Sequence, residues 1–315
     1  PAPDMNSNIA ASYRRGQAVF KGSLVALATP FDSDNRVDYA SLKRLLVCHV
    51  REGTNGLVIA GTTGEAGTVN RVEHSERVAR SVDYAAGRLP IIAGTGSNST
   101  RQTINMSLAV AEAGVDAFLV VVPYYNKPMQ EGMVQHFTAI ADNVPKPVMM
   151  YNVPGRTVAD MQAETVARLA QHENIFGIKE ATGDIGRLRE IQALVADDSF
   201  MLYSGDDFTA LEFLKEGGNG IVTVSGNVVP AAIAKLCRLV AEGALDEAQQ
   251  LDASLQPLND ALFVESNPIP VKWALHQMGL IPQYLRLPLT EFSKEYHEQM
   301  REALAIAGVK LEDAA

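Results

Sequence analysis

The residue with the clearest chemical potential is a lysine inside an apolar stretch. Lys179 ends the run Ile175-Phe176-Gly177-Ile178-Lys179, whose composition predicts a buried strand. An ammonium group is costly to bury, so desolvation favours the neutral amine, which is a nucleophile. Such an amine attacks a carbonyl to give a carbinolamine and then a Schiff base, from which an enamine forms and adds to an aldehyde. The alternative is a strand-end lysine that reaches solvent or pairs with Glu180.

Three hydroxyl-bearing residues at other predicted strand ends suit the proton transfers that Schiff-base chemistry requires. They are Thr62, Tyr125 and Tyr151. A carbinolamine must lose water, and a relay of hydroxyls assists that step. Each of the three also has an ordinary alternative, in which the aromatic rings pack at strand ends and the threonine forms a turn.

Two further features suit carboxylates. The stretch Thr62-Thr63-Gly64 lies between a predicted strand and a predicted helix, where backbone N–H groups can bind an anion. Arg156 follows Pro154-Gly155 in a loop, and its planar guanidinium matches a carboxylate. A simple turn and a solvated arginine are the alternatives.

Short apolar runs alternate with amphipathic segments along the chain. The runs read as strands covered on both faces, as in a parallel sheet, and the segments between them read as helices. The predicted strands are Leu24–Ala28, Gly56–Ala60, Pro90–Ala93, Ala117–Val122, Pro147–Tyr151, Phe176–Lys179, Met201–Tyr203 and Gly220–Val224. The predicted helices are Tyr39–Glu52, Arg71–Ala86, Ser99–Ala113, Gln130–Asn143, Ala163–Gln171, Ile185–Ala196, Phe208–Glu216 and Ala231–Glu242.

Eight such repeats predict an α/β fold of the (β/α)8 TIM-barrel class, with a doubly wound open sheet as the alternative. Three more helices are predicted at Asp246–Val264, Pro270–Gly279 and Thr290–Ala307. We therefore expect a mobile leader over residues 1–20, a barrel over 21–242 and a C-terminal three-helix extension over 243–315. Barrel active sites lie at the carboxyl ends of the strands, which is where the residues above fall.

Composition excludes several classes of protein. The 315 residues are 47% hydrophobic and 20% charged, which is ordinary for a globular protein. With 27 basic and 37 acidic residues the net charge is −10, which disfavours nucleic acid or an anionic membrane surface as a partner. No apolar run is long enough to span a membrane. Cys48 and Cys237 are too few and too isolated for a disulfide scaffold, which favours a cytoplasmic protein.

A metal site and a dinucleotide-binding site are only weakly supported by the sequence. The six histidines lack the close spacing of metal ligands, so no metal is predicted. Asp206-Asp207 reads as a helix N-cap rather than a metal site. The stretch Gly94-Thr95-Gly96-Ser97 lacks the third glycine of a dinucleotide fingerprint.

Taken in order along the chain, the motifs resemble those of the dihydrodipicolinate synthase family. Each motif alone is moderately specific, but the set in this order is highly specific and extends from about Gly22 to Glu291, including the helical extension. The matching stretches are Gly61-Thr62-Thr63-Gly64-Glu65, Pro123-Tyr124-Tyr125-Asn126-Lys127-Pro128, Tyr151-Asn152-Val153-Pro154-Gly155-Arg156-Thr157, Gly177-Ile178-Lys179-Glu180-Ala181-Thr182-Gly183, Ser204-Gly205-Asp206-Asp207 and Asn267-Pro268-Ile269-Pro270-Val271-Lys272.

The resemblance implies condensation of pyruvate with aspartate 4-semialdehyde in lysine and diaminopimelate biosynthesis, with no metal or organic cofactor. It implies a homotetramer built from two tight dimers. It further implies that Lys179 forms the Schiff base and that Thr62, Tyr125 and Tyr151 form a proton relay, with Tyr125 supplied by the neighbouring subunit. Thr63 would bind the pyruvate carboxylate and Arg156 the semialdehyde carboxylate. The backbone carbonyls of Gly205 and Val222 would line the pocket.

Related aldolases share the lysine but not the substrate. N-acetylneuraminate lyases and 2-keto-3-deoxy sugar acid aldolases resemble this chain in the strand-six lysine, but the lyases usually carry serine at the position of Thr62 and lack an arginine at that of Arg156. Thr62, Tyr125 and Arg156 together favour the synthase. A non-catalytic family member is a third alternative, against which the presence of Lys179 and Tyr151 argues.

A departure from the family concerns regulation. Members inhibited by lysine bind it in a cleft at the tight dimer interface. His74, Asn98 and Tyr124 match that possible allosteric site, but Arg71 stands where a histidine often lies and Gln102 where a glutamate lies. A missing carboxylate removes a partner for the ammonium group of lysine, so we expect feedback inhibition to be weak or absent.

Overall fold

The computed structural model describes residues 20–311. In that range eight parallel strands form a closed barrel in which each strand hydrogen-bonds to the next along the chain. The strands β1 to β8 are Gly22–Ala26, Gly56–Ile59, Ile91–Gly94, Ala117–Val121, Val148–Asn152, Ile175–Glu180, Met201–Ser204 and Gly220–Thr223. The predicted (β/α)8 barrel is confirmed, and the doubly wound alternative is wrong.

Burial explains why the apolar runs form these strands. All residues of β2, β5, β6, β7 and β8 are buried, as expected for a parallel sheet covered on both faces. Each predicted strand coincides with an observed one to within two residues at either end. The polar residues that end β5, β6 and β7 are Asn152, Glu180 and Ser204, so each of these strands reaches slightly further than its apolar run.

Helices occupy the connections between the strands. Asp38 accepts a hydrogen bond from the backbone N–H of Ser41 at the start of the first helix, and Asn70 and Glu73 form a capping box at the start of the second, which confirms both predicted starts. The helices α1 to α9 are Tyr39–Arg51, Arg71–Ala85, Thr100–Ala111, Gln130–Asn143, Pro154–Thr157, Ala163–Leu169, Ile185–Leu194, Ala210–Lys215 and Pro230–Ala241. The one-turn helix α5 was not predicted, because four residues carry no helical period.

The chain forms two compact units. Within the described range, one comprises residues 22–89 and 223–311, and therefore contains β1, β2, α1, α2 and the helices from α9 onward. The other comprises residues 20–21 and 90–222, and contains β3 to β7 and most of β8. In this second unit the Phe20 ring packs on Phe176, with ring centroids 5.2 Å apart. The rest of the predicted leader, residues 1–19, lies outside the described range.

The predicted C-terminal extension contains three α-helices within the described residues. They are α10 (Leu245–Leu262), α11 (Ile269–Gln277) and α12 (His297–Ile306). The last begins seven residues later than the predicted Thr290, after a 3-10 turn at Lys294–Tyr296. The preceding segment is held by tertiary contacts, since the Phe292 ring packs 5.4 Å from Trp273 and the Ser293 N–H donates to Glu265 at 3.1 Å. No helix among the described residues is long and apolar enough to cross a membrane.

Candidate active site

Lys179 lies near the carboxyl end of β6 and is only 7% exposed. Its Nζ sits 4.0 Å from the centroid of the Tyr151 ring. The two residues are register partners on the adjacent strands β5 and β6, so their side chains leave the sheet side by side. The structure thus brings together the candidate nucleophile and one candidate of the proton relay.

Gly205 provides the space that the lysine side chain occupies. A Cβ atom at this position would lie 2.9 Å from Lys179 Cε and 2.7 Å from Ala181 Cβ, which is closer than real Cβ contacts. The Gly205 N–H also donates to the Glu180 carbonyl at 2.7 Å, which fixes the backbone beside β6. The predicted pocket residue therefore contacts the predicted nucleophile. Val222, the second residue predicted to line the pocket, is buried in β8.

Tyr203 is a neighbour of Lys179 that the sequence did not single out. It is the register partner of Lys179 on β7 and is fully buried. Its phenol oxygen has no hydrogen-bond partner among the described residues, and burial raises the pKa of the phenol well above its usual value. Its position directly before the Ser204-Gly205 stretch was the signal that could have identified it.

Glu180 does not pair with Lys179, so the pairing considered from the sequence is wrong. Its carboxylate instead accepts hydrogen bonds from Asn152 Nδ2 at 3.2 and 3.3 Å and from the Thr182 N–H at 3.0 Å. Neighbouring residues of a strand face opposite sides of the sheet, which explains the separation. Burial raises the pKa of Glu180 to about 7, although these hydrogen bonds and the charge of Arg187 oppose the shift.

A charged pair extends this network beyond Glu180. Asn152 Nδ2 also donates to Asp160 at 2.9 Å, and Arg187 donates to both carboxylate oxygens of Asp160 at 2.9 Å each. These hydrogen bonds from Arg187 lower the pKa of Asp160. The carboxyl ends of β5 and β6 are therefore fixed by a polar network that is buried at Asn152 and Glu180 and partly exposed at Asp160 and Arg187.

Tyr125 lies on the loop after β4 and is 87% exposed. Its backbone N–H donates to the Thr157 carbonyl at 3.3 Å, and its φ of 74° is in the left-handed region. The apolar side chains of Met129 and Val158 are also exposed. Among the described residues no contact of the Tyr125 phenol with Lys179 or Tyr151 is observed, so the isolated chain does not assemble the predicted relay.

The remaining predicted residues of this unit lie on the connections that follow β3, β4 and β5. Arg156 is exposed on the one-turn helix α5. Asn98 Nδ2 donates to the Tyr124 carbonyl at 3.1 Å, and Asn126 donates back to the Asn98 carbonyl at 2.9 Å. Two of the three residues predicted for an allosteric site are therefore in direct contact.

Thr62 and Thr63 belong to the other unit, at the carboxyl end of β2. They are the two central residues of a turn closed by a hydrogen bond from the Gly64 N–H to the Gly61 carbonyl at 3.1 Å. Thr63 is buried and its Oγ1 accepts from Asn267 Nδ2 at 3.0 Å. His74, the third residue of the predicted allosteric site, is buried in α2.

Two other expectations concern acidic and metal-ligating residues. Residues 20–311 contain no group of three or more His, Cys, Asp or Glu side chains arranged to hold a metal. The helix N-cap expected at Asp206-Asp207 lies slightly later, at Thr209, whose N–H and hydroxyl both donate to the Asp206 carboxylate at 3.1 and 2.7 Å.

A buried lysine near the carboxyl end of the sixth strand of a (β/α)8 barrel, packed on a tyrosine ring, fits the class of enzymes that use class I aldolase chemistry. Comparison with known proteins narrows the class. The family model described as "Dihydrodipicolinate synthetase family" matches residues 19–307. The chain therefore belongs to the dihydrodipicolinate synthase family, which confirms the resemblance.

Individual relatives agree with this assignment. The 4-hydroxy-tetrahydrodipicolinate synthase of Pseudomonas aeruginosa is 52% identical over 288 residues, which is 91% of this chain and 98% of that protein. The crystal structure of dihydrodipicolinate synthase from Acinetobacter baumannii complexed with pyruvate superposes with a TM-score of 0.90 at 46% identity, covering 92% of this chain and 99% of that one. The enzyme from Cyanidioschyzon merolae with lysine bound gives a TM-score of 0.90 at 38% identity, covering 93% and 99%.

Proposed function

We propose that this chain is a 4-hydroxy-tetrahydrodipicolinate synthase that condenses pyruvate with L-aspartate 4-semialdehyde, a step that leads to diaminopimelate and lysine. The observation that carries the proposal is the buried amine of Lys179 above the Tyr151 ring, in a chain 52% identical to a protein of that name. A related sugar-acid aldolase is the alternative with the same lysine.

The reaction begins at the carbonyl carbon of pyruvate. Lys179 Nζ adds to that carbon, and loss of water gives a protonated imine. The imine withdraws electrons, so the methyl group loses a proton and the resulting enamine carbon bonds to the aldehyde carbon of the semialdehyde. The amino group of the semialdehyde part then attacks the imine carbon, which closes the ring and releases Lys179.

Tyr151 and Thr62, with Tyr125, carry protons for these steps in the proposal. Tyr151 has the geometric support, because its ring contacts the Lys179 amine. The roles of Thr62 in the relay, of Thr63 at the pyruvate carboxylate and of Arg156 at the semialdehyde carboxylate rest on the family motifs. Backbone carbonyls of Gly205 and Val222 complete the site, and no metal or organic cofactor takes part.

The experiment that tests this function combines trapping with substrate choice. Borohydride reduction in the presence of pyruvate, followed by mass spectrometry, is expected to place an adduct on Lys179. Turnover is then compared between aspartate semialdehyde, N-acetylmannosamine and glyceraldehyde. An adduct with faster condensation of a sugar aldehyde would move the chain to the aldolases, and no adduct would exclude Schiff-base chemistry.

A tight dimer, paired into a homotetramer, is part of the same proposal. The Tyr125, Met129 and Val158 side chains are large and exposed, as is common for residues of an interface. Tyr125 reaches the site of the neighbouring subunit across it. A cytoplasmic location is also proposed, since Cys48 and Cys237 are free thiols, which suits a reducing compartment.

Mixed dimers test whether Tyr125 acts across the interface. Tyr125→Phe and Lys179→Ala homodimers are each expected to lose at least about 10²-fold in turnover. A purified heterodimer of the two keeps one site with Lys179 in one subunit and Tyr125 from the other, so we expect about half of wild-type activity. Activity no higher than that of the parents would show that Tyr125 acts within its own subunit.

Lysine inhibition is expected to be weak. Gln102 is neutral and its Oε1 already accepts from Ser97 Oγ at 3.1 Å, while the cation of Arg71 repels an ammonium group. Half-inhibition of the wild type should need more than millimolar lysine, and the Arg71→His/Gln102→Glu variant should be inhibited more strongly. Sub-millimolar inhibition of the wild type would contradict this prediction.

A further inference from the structure

The turn that carries Thr62 and Thr63 has a conformation that its own sequence does not secure. Glu65, directly after the turn, has a φ of 54°. A left-handed backbone at a non-glycine residue is strained and persists where surrounding contacts impose it. The Glu65 N–H donates to the Thr62 carbonyl at 3.0 Å, so whatever fixes Glu65 also orients the turn.

A buried ion pair with the C-terminal extension fixes Glu65. Its Oε2 lies 2.5 Å from Lys272 Nζ, and both side chains are 0% exposed. Its Oε1 accepts from the Arg286 backbone N–H at 3.1 Å, so both carboxylate oxygens are satisfied. Lys272 belongs to α11, and its ammonium group also lies 4.3 Å from the centroid of the Phe31 ring.

A second contact from the extension reaches the turn itself. Asn267 Nδ2 donates to Thr63 Oγ1 at 3.0 Å, and both residues are buried. The amide donates to a lone pair of the hydroxyl oxygen, which restricts the side-chain rotamer of Thr63. The hydroxyl hydrogen is then available to donate to a different acceptor. Arg77 Nη1 secures the next residue by donating to the Gly64 carbonyl at 2.5 Å.

We propose that Lys272 and Asn267 are positioning residues for pyruvate, through which the C-terminal extension holds the Thr62-Thr63 turn in its binding orientation. The inference rests on the proposed function, in which Thr63 binds the pyruvate carboxylate. Neither residue touches the substrate. The extension, which lies outside the eight βα repeats, is therefore part of the substrate-binding apparatus.

The test measures pyruvate binding apart from the second substrate. The concentration of pyruvate that half-saturates borohydride trapping on Lys179 is compared among wild type, Lys272→Met and Asn267→Ala. We expect an increase of about 10-fold for Lys272→Met and a smaller increase for Asn267→Ala. In steady-state assays the KM for pyruvate should rise while the KM for aspartate semialdehyde stays within about 2-fold.

Two additional variants make the result specific. Lys235→Met removes an exposed lysine from α9 and should leave both KM values unchanged. Glu65→Gln/Lys272→Met removes both buried charges together, so it should recover thermal stability relative to Lys272→Met without recovering the affinity for pyruvate. Recovery of both thermal stability and pyruvate affinity would show that the ion pair acts only through stability.

The outcomes separate this inference from the function on which it rests. No pyruvate adduct on wild-type Lys179 would overturn the proposed function. A wild-type adduct together with unchanged half-saturation in Asn267→Ala and Lys272→Met would overturn only the positioning role. An equal rise of both KM values would overturn it as well, because a general loosening of the fold affects both substrates. If Lys272→Met does not fold, Asn267→Ala, which removes no charge, decides the question.

Discussion

Replacing Lys179 with methionine is expected to abolish the pyruvate adduct and to lower turnover by about 10⁴-fold or more. Methionine approximates the length of the lysine stem but has no amine, so neither the carbinolamine nor the imine can form. The expected loss is large because every later step uses the imine as the electron acceptor. The neighbouring Tyr151 and Tyr203 cannot replace the amine, since both are phenols.

The fold is expected to survive this substitution. The Lys179 side chain is buried beside the Tyr151 ring and passes close to Gly205, so an apolar chain of similar length fills the same space. Circular dichroism and thermal unfolding of Lys179→Met should match the wild type, and Lys235→Met on α9 serves as the control with an exposed lysine. Turnover within 10-fold of the wild type would disprove the Schiff-base mechanism.

The burial of Lys179 in a strand could be predicted from sequence because its signal is local. A lysine that follows four residues without polar side chains in a buried strand is costly as an ammonium ion, and the strand lies within a regular series of βα repeats. The same local reasoning located the strands and the capped starts of α1 and α2. Each of these features depends on residues within a few positions of one another.

The partners of the site residues were not predictable, because they depend on register and on distant packing. Glu180 reaches Asn152 because the two are paired across β5 and β6, and register is invisible in a single strand. Asn267 and Thr63 are separated by 204 positions. The sequence identified both motifs as matching stretches, but only the fold shows that one anchors the other.

Glu180→Gln is the second substitution with a large expected effect, and it concerns stability. Burial raises the pKa of Glu180 from its ordinary value of 4.5 to about 7. Between these two values the unfolded carboxyl has lost its proton while the folded one retains it, so rising pH favours the unfolded state. The difference between the two pKa values corresponds to about 3 kcal/mol of unfolding free energy. This stabilisation of the folded state is fully present below pH 4.5 and is lost by about pH 7.

Glutamine is neutral at every pH and keeps an acceptor for Asn152 and Thr182. The variant should therefore lack this pH-dependent loss and gain stability relative to the wild type as the pH rises from 5 to 7.5. Urea unfolding of both proteins at the two pH values measures the change, since contributions from all other groups cancel in the difference. Glu302→Gln, at an exposed position of α12, should show no such trend.

The charged pair of Asp160 and Arg187 also affects the ionisation of Glu180. Arg187 is held by two hydrogen bonds to Asp160, so its charge is largely neutralised and only partly offsets the desolvation of Glu180. Asp160→Asn would free that charge, lower the pKa of Glu180 and shrink the stability difference between the wild-type and glutamine forms at position 180. An undiminished difference in the Asp160→Asn background would assign the raised pKa to burial alone.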